Sequence, residues 1–387
     1  MESTRRSGAD DRTGTLDYPQ IISKWNRVVL FLLIPLLAST VLYKTVMEFD
    51  SDDYPDDYLN HSITVPDYNR NVFNVLQKIG DGFLPGPEDL AYDSETSFLY
   101  TSCVDGWIKR IKLDDESLHV ENWTFVGGRP LGLAFGSESD QRRLLYVANA
   151  YKGLMVVDSD GKTVNLLADE ADDGVKFRLT DGVDVASDGM VYFTDASFKY
   201  NLADHVLDLI EGRPYGRLLR YDPNTKQTQV LLHDLYFANG VAISHDQTSV
   251  IFCESSLRRC SNYHIHGSRA GTVDRFITDL PGFVDNIRYD GDGRYWIAIA
   301  SSIPFMKIWK YRLFRNLLAF FEKKEIRFLS ASNGGLMEVN LKGEPVKFYT
   351  DARLKHVTGG IKIGNHLYFG NLVDTYMGRI QFNKPTD

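Results

Sequence analysis

Acidic and amide side chains recur at one position of a short repeat in the chain, two residues before an apolar residue. They are Glu88, Asp181, Asn239 and Asp285, with Asn286 directly after the last of them. Carboxylates crowded at one level repel one another, and their burial costs free energy unless a cation neutralises them. Oxygen ligands without Cys or His favour Ca²⁺, or alternatively Mg²⁺ or Mn²⁺. The pattern predicts a divalent-cation site, and a water-filled polar funnel without metal is the alternative.

These residues are placed by a unit of three short strands that occurs six times. The first strands of the six units lie in GPEDLAYD, RPLGLAF, LTDGVDV, ANGVAIS, VDNIRYD and TGGIKIG. Six such units predict an all-β fold, a six-bladed β-propeller around a central channel. Equivalent positions of successive blades lie at one height, so one position of each unit should form a ring. The ring consists of Glu88, Leu131, Asp181, Asn239, Asp285 and Gly359.

Composition limits the class of partner. The chain has 387 residues, a net charge of −9 and no long basic run, which argues against a nucleic-acid surface. Its 21 Tyr and 22 Phe favour strands over helices. A small neutral or cationic molecule is therefore the expected partner.

The only long apolar run, 28–43, is flanked by Lys24, Arg27 and Lys44. We expect a cytosolic tail over 1–27, a transmembrane signal anchor over 28–47, a stalk over 48–70 and the propeller over 71–387. A cleaved signal peptide is the alternative. The basic residues before the run favour a cytosolic N-terminus and a lumenal propeller. The endoplasmic reticulum, the vacuole and the plasma membrane are all compatible.

Two further features fit the secretory pathway. Asn60 and Asn122 begin the sequons Asn-His-Ser and Asn-Trp-Thr, which are glycosylated only in that pathway. In FCESSLRRC, a two-residue turn would place Cys253 directly opposite Cys260 across a hairpin, within reach of a disulfide. Two reduced thiols that pack against each other are the alternative.

Two insertions interrupt the strands. Apolar residues at steps of three and four predict an amphipathic helix within 301–332. This helix could cover the propeller face as a lid, or dip Trp309 and Phe320 into a bilayer. A shorter helical insertion is expected over 202–211, on the same face.

The motifs RPLGLAF, LLYVANAYKGLMVVD, VYFTDAS, GRLLRYDP, FANGVAIS and LPGFVDNI occur in that order. From about Val75 onward, the chain resembles the strictosidine synthase-like proteins of plants and the adipocyte plasma membrane-associated proteins of animals. Their wider superfamily includes calcium-dependent paraoxonases and gluconolactonases, all six-bladed propellers. The resemblance implies that Glu88, Asn239, Asp285 and Asn286 are metal ligands.

The sequence departs from these relatives at three places. Leu131 stands where paraoxonases have a proposed catalytic histidine, and Thr180-Asp181 where they have an Asn-Asp pair, so Asp181 would serve as the ligand. Strictosidine synthase has a glutamate at or beside the position of Thr358-Gly359, where this chain has no carboxylate.

The leading functional hypothesis is the hydrolysis of an ester or lactone assisted by a metal. A cation in the ring would polarise the substrate carbonyl, and Asp181 or Glu88 would act as the base for water. His356 is the histidine nearest to the ring in sequence and could assist. Condensation of an amine with an aldehyde, and a propeller that only binds a small molecule, are the alternatives.

Overall fold

The computed structural model describes residues 18–55, 62–115, 117–136, 143–302, 306–326 and 333–382. The chain divides into two compact units, Met1–Phe49 and Asp50–Asp387. In the first unit, α1 (Tyr18–Met47) is a continuous helix that contains Pro35. Its segment Val29–Met47 is long and apolar enough to cross a membrane. The predicted N-terminal apolar helix is confirmed by length and composition.

The second unit consists mainly of short strands. Two of them, β1 (Asp67–Asn69) and β2 (Gln77–Ile79), precede the repeats. The others are β3 (Leu90–Asp93), β4 (Phe98–Ser102), β5 (Trp107–Lys112), β6 (Val120–Phe125), β7 (Pro130–Phe135), β8 (Leu145–Asn149), β9 (Gly153–Val157), β10 (Val164–Ala168), β11 (Thr180–Val185), β12 (Val191–Asp195), β13 (Gly216–Asp222), β14 (Gln227–Leu235), β15 (Ala238–Ile243), β16 (Ser249–Glu254), β17 (Arg259–His264), β18 (Val273–Ile277), β19 (Phe283–Tyr289), β20 (Arg294–Ser301), β21 (Gly335–Asn340), β22 (Pro345–Thr350), β23 (Val357–Ile363), β24 (His366–Asn371) and β25 (Met377–Gln381).

These strands form six sheets, which confirms the predicted six-bladed β-propeller. Blades 1 to 5 are β3–β6, β7–β10, β11–β14, β15–β18 and β19–β22, and blade 6 consists of β23–β25 with β2. The first strands of the predicted repeat units are β3, β7, β11, β15, β19 and β23. The ring closes because β2, from before the first repeat, pairs antiparallel with β25. In addition, β1 pairs parallel with β22 and widens blade 5.

Apolar side chains fill the spaces between neighbouring blades. Ala148 and Leu154 of blade 2, for example, belong to one buried cluster with Phe193 and Leu219 of blade 3. Such alternating strand residues lose their contact with water on folding, and their burial is the main favourable contribution to stability. The blades therefore hold the first strands at fixed positions around the channel.

Both helical insertions connect the second strand of a blade to its third. A 3₁₀ turn (Leu202–Asp204) and α2 (His205–Glu211) lie between β12 and β13, while α3 (Met306–Trp309) and α4 (Arg312–Glu322) lie between β20 and β21. In an antiparallel blade, this connection is at the end where the first strand begins. The insertions therefore lie at the end of the propeller that carries the ring.

The longer insertion differs from a single amphipathic helix. Tyr311 has extended backbone geometry and separates α3 from α4. Trp309 is fully buried and packs edge-on against Phe283, so its indole is inside the protein. Arg315 of α4 is also buried and donates to the carbonyl of Ile210 at 3.0 Å, at the end of α2. The two insertions thus pack against each other.

Parts of the segment predicted as a stalk, 48–70, contact the propeller. Asp50 forms ion pairs with Arg213 at 2.6 Å and Arg312 at 2.8 Å, and so bridges the two insertions. The hydroxyl of Tyr54 donates to the carbonyl of Leu209 at 2.6 Å. β1 also belongs to this segment.

Cys253 and Cys260 are directly opposite each other in β16 and β17, and their sulfurs are bonded. The bond closes a short loop, because the two residues are only seven positions apart. We expect the double substitution Cys253→Ala/Cys260→Ala to lower the free energy of unfolding by about 2 kcal/mol through lost constraint on the unfolded chain. Denaturant titration measures this change.

The control for this prediction is a reductant. Dithiothreitol should lower the stability of the wild type and leave that of the double variant unchanged. Equal stability of the wild type with and without reductant would contradict the prediction.

Candidate metal centre

Carboxylates from three blades meet at the ring. Glu88 lies just before β3, Asp181 in β11 and Asp285 in β19, and one oxygen of each lies within 4.8 Å of the other two. Glu88 and Asp181 are buried, and Asp285 is half-buried. Among the residues that the structure describes, this is the one such group of acidic, His or Cys side chains.

Two amides complete the group. Asn286 donates from Nδ2 to Oε1 of Glu88 at 2.8 Å, and Asn239 forms a side-chain hydrogen bond with Asp285. The other oxygen of Glu88, Oε2, and the Asn239 Oδ1 atom are buried and have no hydrogen-bond partner among the described residues. Buried polar atoms of native proteins nearly always have a partner, so these two oxygens are suited to bind a cation.

The pKa values of the carboxyls show how poorly the protein alone accommodates their charge. Burial raises the pKa of Glu88 well above its usual range, and the charges of Asp285, Asp89 and Asp181 raise it further. Burial, followed by Asp89, raises the pKa of Asp181 to about 7, although Arg129 opposes this shift. Burial, followed by Asp181, also raises the pKa of Asp285. A divalent cation would reverse this penalty by favouring the charged forms.

The donor set therefore fits a hard divalent cation. Its oxygens come from carboxylates and amides, which Ca²⁺ prefers, and two of them have no other partner. Five predicted ligands, Glu88, Asp181, Asn239, Asp285 and Asn286, belong to this one group. Ca²⁺ itself remains a prediction.

Five of the six ring residues lie in β-bulges, and Glu88, which lies just before β3, is the exception. In five of the six first strands, two residues lie opposite one residue of the second strand. The bulged pairs are Leu131-Gly132, Asp181-Gly182, Asn239-Gly240, Asp285-Asn286 and Thr358-Gly359. A bulge bends the strand and re-aims a side chain, which here turns the ring residue out of the ladder.

Glycines then allow successive blades to approach backbone to backbone. A Cβ atom on Gly132 would lie 2.6 Å from the carbonyl oxygen of Asp181, and one on Gly182 would lie 2.8 Å from that of Asn239. A Cβ on Gly240 would lie 2.6 Å from the Cα of Asn286. Each glycine thus packs against the next bulged pair around the channel, and any larger residue would push the ligands apart.

Hydroxyl groups fix the same backbone across blades. Ser102 donates to the carbonyl of Leu131, Thr194 to that of Asn239 and Thr358 to that of Glu88, each at 2.6 Å. Each bond joins one blade to a ring residue of the next. We did not predict these residues from the sequence, although Ser102 and Thr194 occupy similar places in FLYTS and VYFTD.

A buried ion pair holds the backbone just before Asp181. This pair was also not predicted from the sequence. Asp195 has no exposed side-chain surface and accepts from Arg217 Nη2 at 2.7 Å. Its other oxygen accepts the backbone amide of Leu179 at 3.0 Å, two residues before Asp181. Arg217 and Asp195 therefore position the start of β11.

His356 and Leu131 do not join the group of ligands. His356 precedes β23 with a positive φ of 52°. Burial lowers its pKa, with His205 adding to the effect, and no ring residue contributes. Leu131 is buried in an apolar cluster with Leu179 and Phe237, so this ring position supplies no proton.

The two predicted glycosylation sites have different outcomes. Asn122 is exposed on β6, the outermost strand of blade 1, whereas Asn60 lies outside the described residues. The structure makes Asn122 accessible and leaves its modification a prediction.

Comparison with known proteins identifies similar sequences. Residues 181–268 match the strictosidine synthase family, and residues 74–111 match the N-terminal region of strictosidine synthase-like proteins. The protein strictosidine synthase-like 7 of Arabidopsis thaliana is 46% identical over 365 residues, which cover 92% of this chain and 95% of the relative. The adipocyte plasma membrane-associated protein of Bos taurus is 30% identical over 385 residues, 91% of this chain and 88% of the relative.

Solved structures share the fold. A gluconolactonase from Xanthomonas campestris matches with a TM-score of 0.58 at 14% identity, over 86% of this chain and 98% of the other. Regucalcin, a calcium-binding protein from Agrobacterium tumefaciens, matches with a TM-score of 0.55 at 14% identity, over 78% of this chain and 92% of the other. At this identity, the likeness concerns the fold alone.

Proposed function

The chain belongs to the strictosidine synthase-like family, and from this premise we propose that it is a membrane-anchored, lumenal propeller that hydrolyses an ester or lactone with Ca²⁺ bound at the ring. The observation that carries the proposal is the meeting of Glu88, Asp181 and Asp285 within 4.8 Å, beside two buried oxygens that lack partners. Among proteins of similar fold, the gluconolactonase is a precedent for hydrolysis, and regucalcin is a precedent for calcium binding.

The ring residues have different proposed roles in hydrolysis. The cation, which supplies a Lewis acid for an ester carbonyl, would be held by Glu88, Asp181, Asn239, Asp285 and Asn286. The Asp181 carboxylate, which lies within 4.8 Å of those of Glu88 and Asp285, would accept the proton of the attacking water, because a bound ion favours its charged, basic form. The apolar cluster around Leu131 excludes water from one side of the ring. In this scheme, His356 remains outside the chemistry.

The proposed lumenal orientation has independent support. A disulfide such as Cys253–Cys260 is typical of proteins in oxidising compartments. Asn122 is exposed within its sequon, as an acceptor of glycan must be. Both features suit a propeller on the lumenal or extracellular side of the membrane.

Condensation of an amine with an aldehyde is less well supported by the site. The ring position of blade 6 is Gly359, and a Cβ atom there would lie only 3.0 Å from Asp89 Oδ1. The space that a glutamate would need on this side is limited by an existing carboxylate. We therefore retain hydrolysis as the proposed reaction.

The proposal is tested by turnover of phenyl acetate and a simple lactone by the full chain in detergent. We expect Ca²⁺-dependent hydrolysis that EDTA abolishes, and a loss of about 100-fold in Asn239→Ala because the ion loses a ligand. Asn262→Ala, in β17 of the same blade, is the matched control and should retain activity. Turnover that survives both EDTA and Asn239→Ala would refute the mechanism.

A further inference from the structure

A guanidinium group lies beside the ring, on the strand that carries Asp285 and Asn286. Arg288 Nη2 donates to Oδ2 of Asp89 at 2.7 Å and to the carbonyl oxygen of Leu133 at 3.0 Å. The side chain of Asp89 is 3% exposed and that of Arg288 is 21% exposed. One cation thus joins the first strands of blades 1, 2 and 5.

Asp89 has the properties of a further ligand for a metal. It follows Glu88 directly, and its charge raises the pKa of both Glu88 and Asp181. Its Oδ1 atom is buried and has no hydrogen-bond partner among the described residues. A carboxylate in this state needs a nearby positive charge, and Arg288 supplies it.

A second carboxylate, that of Asp184, interacts electrostatically with the same guanidinium. Asp184 stands in β11, three residues after Asp181, just as Arg288 stands three residues after Asp285. Burial alone would lower the pKa of Arg288, but the charges of Asp89 and Asp184 outweigh it and raise the pKa. Both Asp184 oxygens accept backbone amides, from Ile243 at 2.8 Å and Val185 at 2.9 Å, which keeps the carboxylate in place.

The sequence leaves room for the guanidinium at this level. The residues that correspond to Asp184 and Arg288 in the other first strands are Ala91, Ala134, Ala242 and Lys362. The three alanines are buried and small. The amino group of Lys362 pairs with Asp292 at 3.0 Å.

We propose that the Arg288 guanidinium is a built-in second cation of the channel, which neutralises Asp89 and Asp184 and limits the protein to one divalent ion. Carboxylate and carbonyl oxygens are of the kind that Ca²⁺ binds, but the guanidinium already holds Oδ2 of Asp89 and the carbonyl oxygen of Leu133. Arginine remains charged at any accessible pH. Because its guanidinium is covalently part of the chain, a chelator cannot remove this cation. The inference rests on the proposed function only for the first ion, in the ring.

The test is the number of Ca²⁺ ions bound per chain, measured by equilibrium dialysis with radiolabelled Ca²⁺ on the full chain in detergent. We expect one ion for the wild type and two for Arg288→Ala, because Asp89, Asp184 and the Leu133 carbonyl become available. In EDTA, Arg288→Ala should melt below the wild type, and Ca²⁺ should raise its melting temperature more. Arg288→Lys keeps the charge and should bind one ion.

A double variant keeps the test decisive if Arg288→Ala does not fold. Arg288→Ala/Asp89→Asn lacks the carboxylate that needs neutralising, so it should fold and bind one ion. A double variant that is as unfolded as the single one would overturn the inference, as would an Arg288→Ala protein that binds the same number of ions as the wild type. No ion in the wild type with one in Arg288→Ala would refute the ring ion and support the role of Arg288.

Discussion

Replacing Asp181 and Asp285 together by asparagine is expected to raise the melting temperature of the chelated protein while abolishing its Ca²⁺ binding. At pH 8 and without an ion, ionised carboxylates of the ring repel one another across distances of up to 4.8 Å, which corresponds to about 3 kcal/mol per charged pair at an effective dielectric constant near 20. Asparagine keeps the shape and removes the charge. A substitution that destroys a binding site should therefore stabilise the empty protein.

The same charges give the chelated wild type a distinctive pH dependence. Burial raises the pKa of Asp181 to about 7, and the pKa values of Glu88 and Asp285 are also raised. The folded chelated protein therefore binds more protons than the unfolded chain above about pH 4, where the unfolded carboxyls ionise. Its stability should fall as the pH rises from 5 to 8. Saturating Ca²⁺ should restore stability at pH 8, because the ion binds only the folded ring.

Thermal melts at pH 5 and pH 8, in EDTA and in Ca²⁺, measure both effects. The double variant should show a flatter pH profile in EDTA than the wild type. Asp114→Asn, which removes an exposed carboxylate, is the control and should change neither profile. If the double variant melts below the wild type at pH 8 in EDTA as well as in Ca²⁺, repulsion between the ring carboxylates does not destabilise the chelated protein.

Arg217→Met is expected to lower the free energy of unfolding by about 3 to 5 kcal/mol, as is typical when one partner of a buried ion pair is removed. Both side chains of the Arg217–Asp195 pair are essentially inaccessible to water. Burial raises the pKa of Asp195 and Arg217 opposes this shift, so the substitution leaves a buried carboxyl without its counter-ion. Because Asp195 holds the Leu179 amide, Ca²⁺ affinity should fall as Asp181 loses its position.

Arg220→Met on the same strand provides the matched control for this prediction. Arg220 is half-buried and forms side-chain hydrogen bonds with two neutral groups, Gln229 at 2.9 Å and Tyr192, so its loss should cost only about 1 kcal/mol. Denaturant titrations in EDTA compare the two variants, and Asp195→Asn in the Arg217→Met background should recover part of the lost stability. Equal stability of Arg217→Met and Arg220→Met would contradict a supporting role for the pair.

Much of the architecture follows from local pattern in the sequence. Six copies of one alternating unit predict six blades, because side-chain alternation and turn residues act over a few positions. The same repeat aligns Glu88, Asp181 and Asp285, which the structure brings together. The register of FCESSLRRC, which places Cys253 opposite Cys260, is likewise a local property of a short hairpin.

Other features depend on contacts between distant parts of the chain. Simple alternation does not predict the bulges at the ring, where two residues replace one and the side chain is re-aimed. The pairing of Arg288 with Asp89 and of Arg217 with Asp195 depends on how strands meet in space, which no short pattern fixes. The break between α3 and α4 also reflects tertiary packing, since Trp309 is buried against Phe283.

The pairing of β2 with β25 also constrains how a cell can make the protein. β2 is synthesised before the first blade and β25 at the end of the last one, with about 300 residues between them. At ordinary translation rates of about 5 to 20 residues per second, β2 therefore has no partner strand for roughly 15 to 60 s. Until then, the nascent chain exposes an unmatched strand edge, which is a natural target for chaperones and a hazard for aggregation. A premature stop codon in the last strand would therefore leave five complete blades and a propeller that cannot close, because β2 has no β25 to pair with.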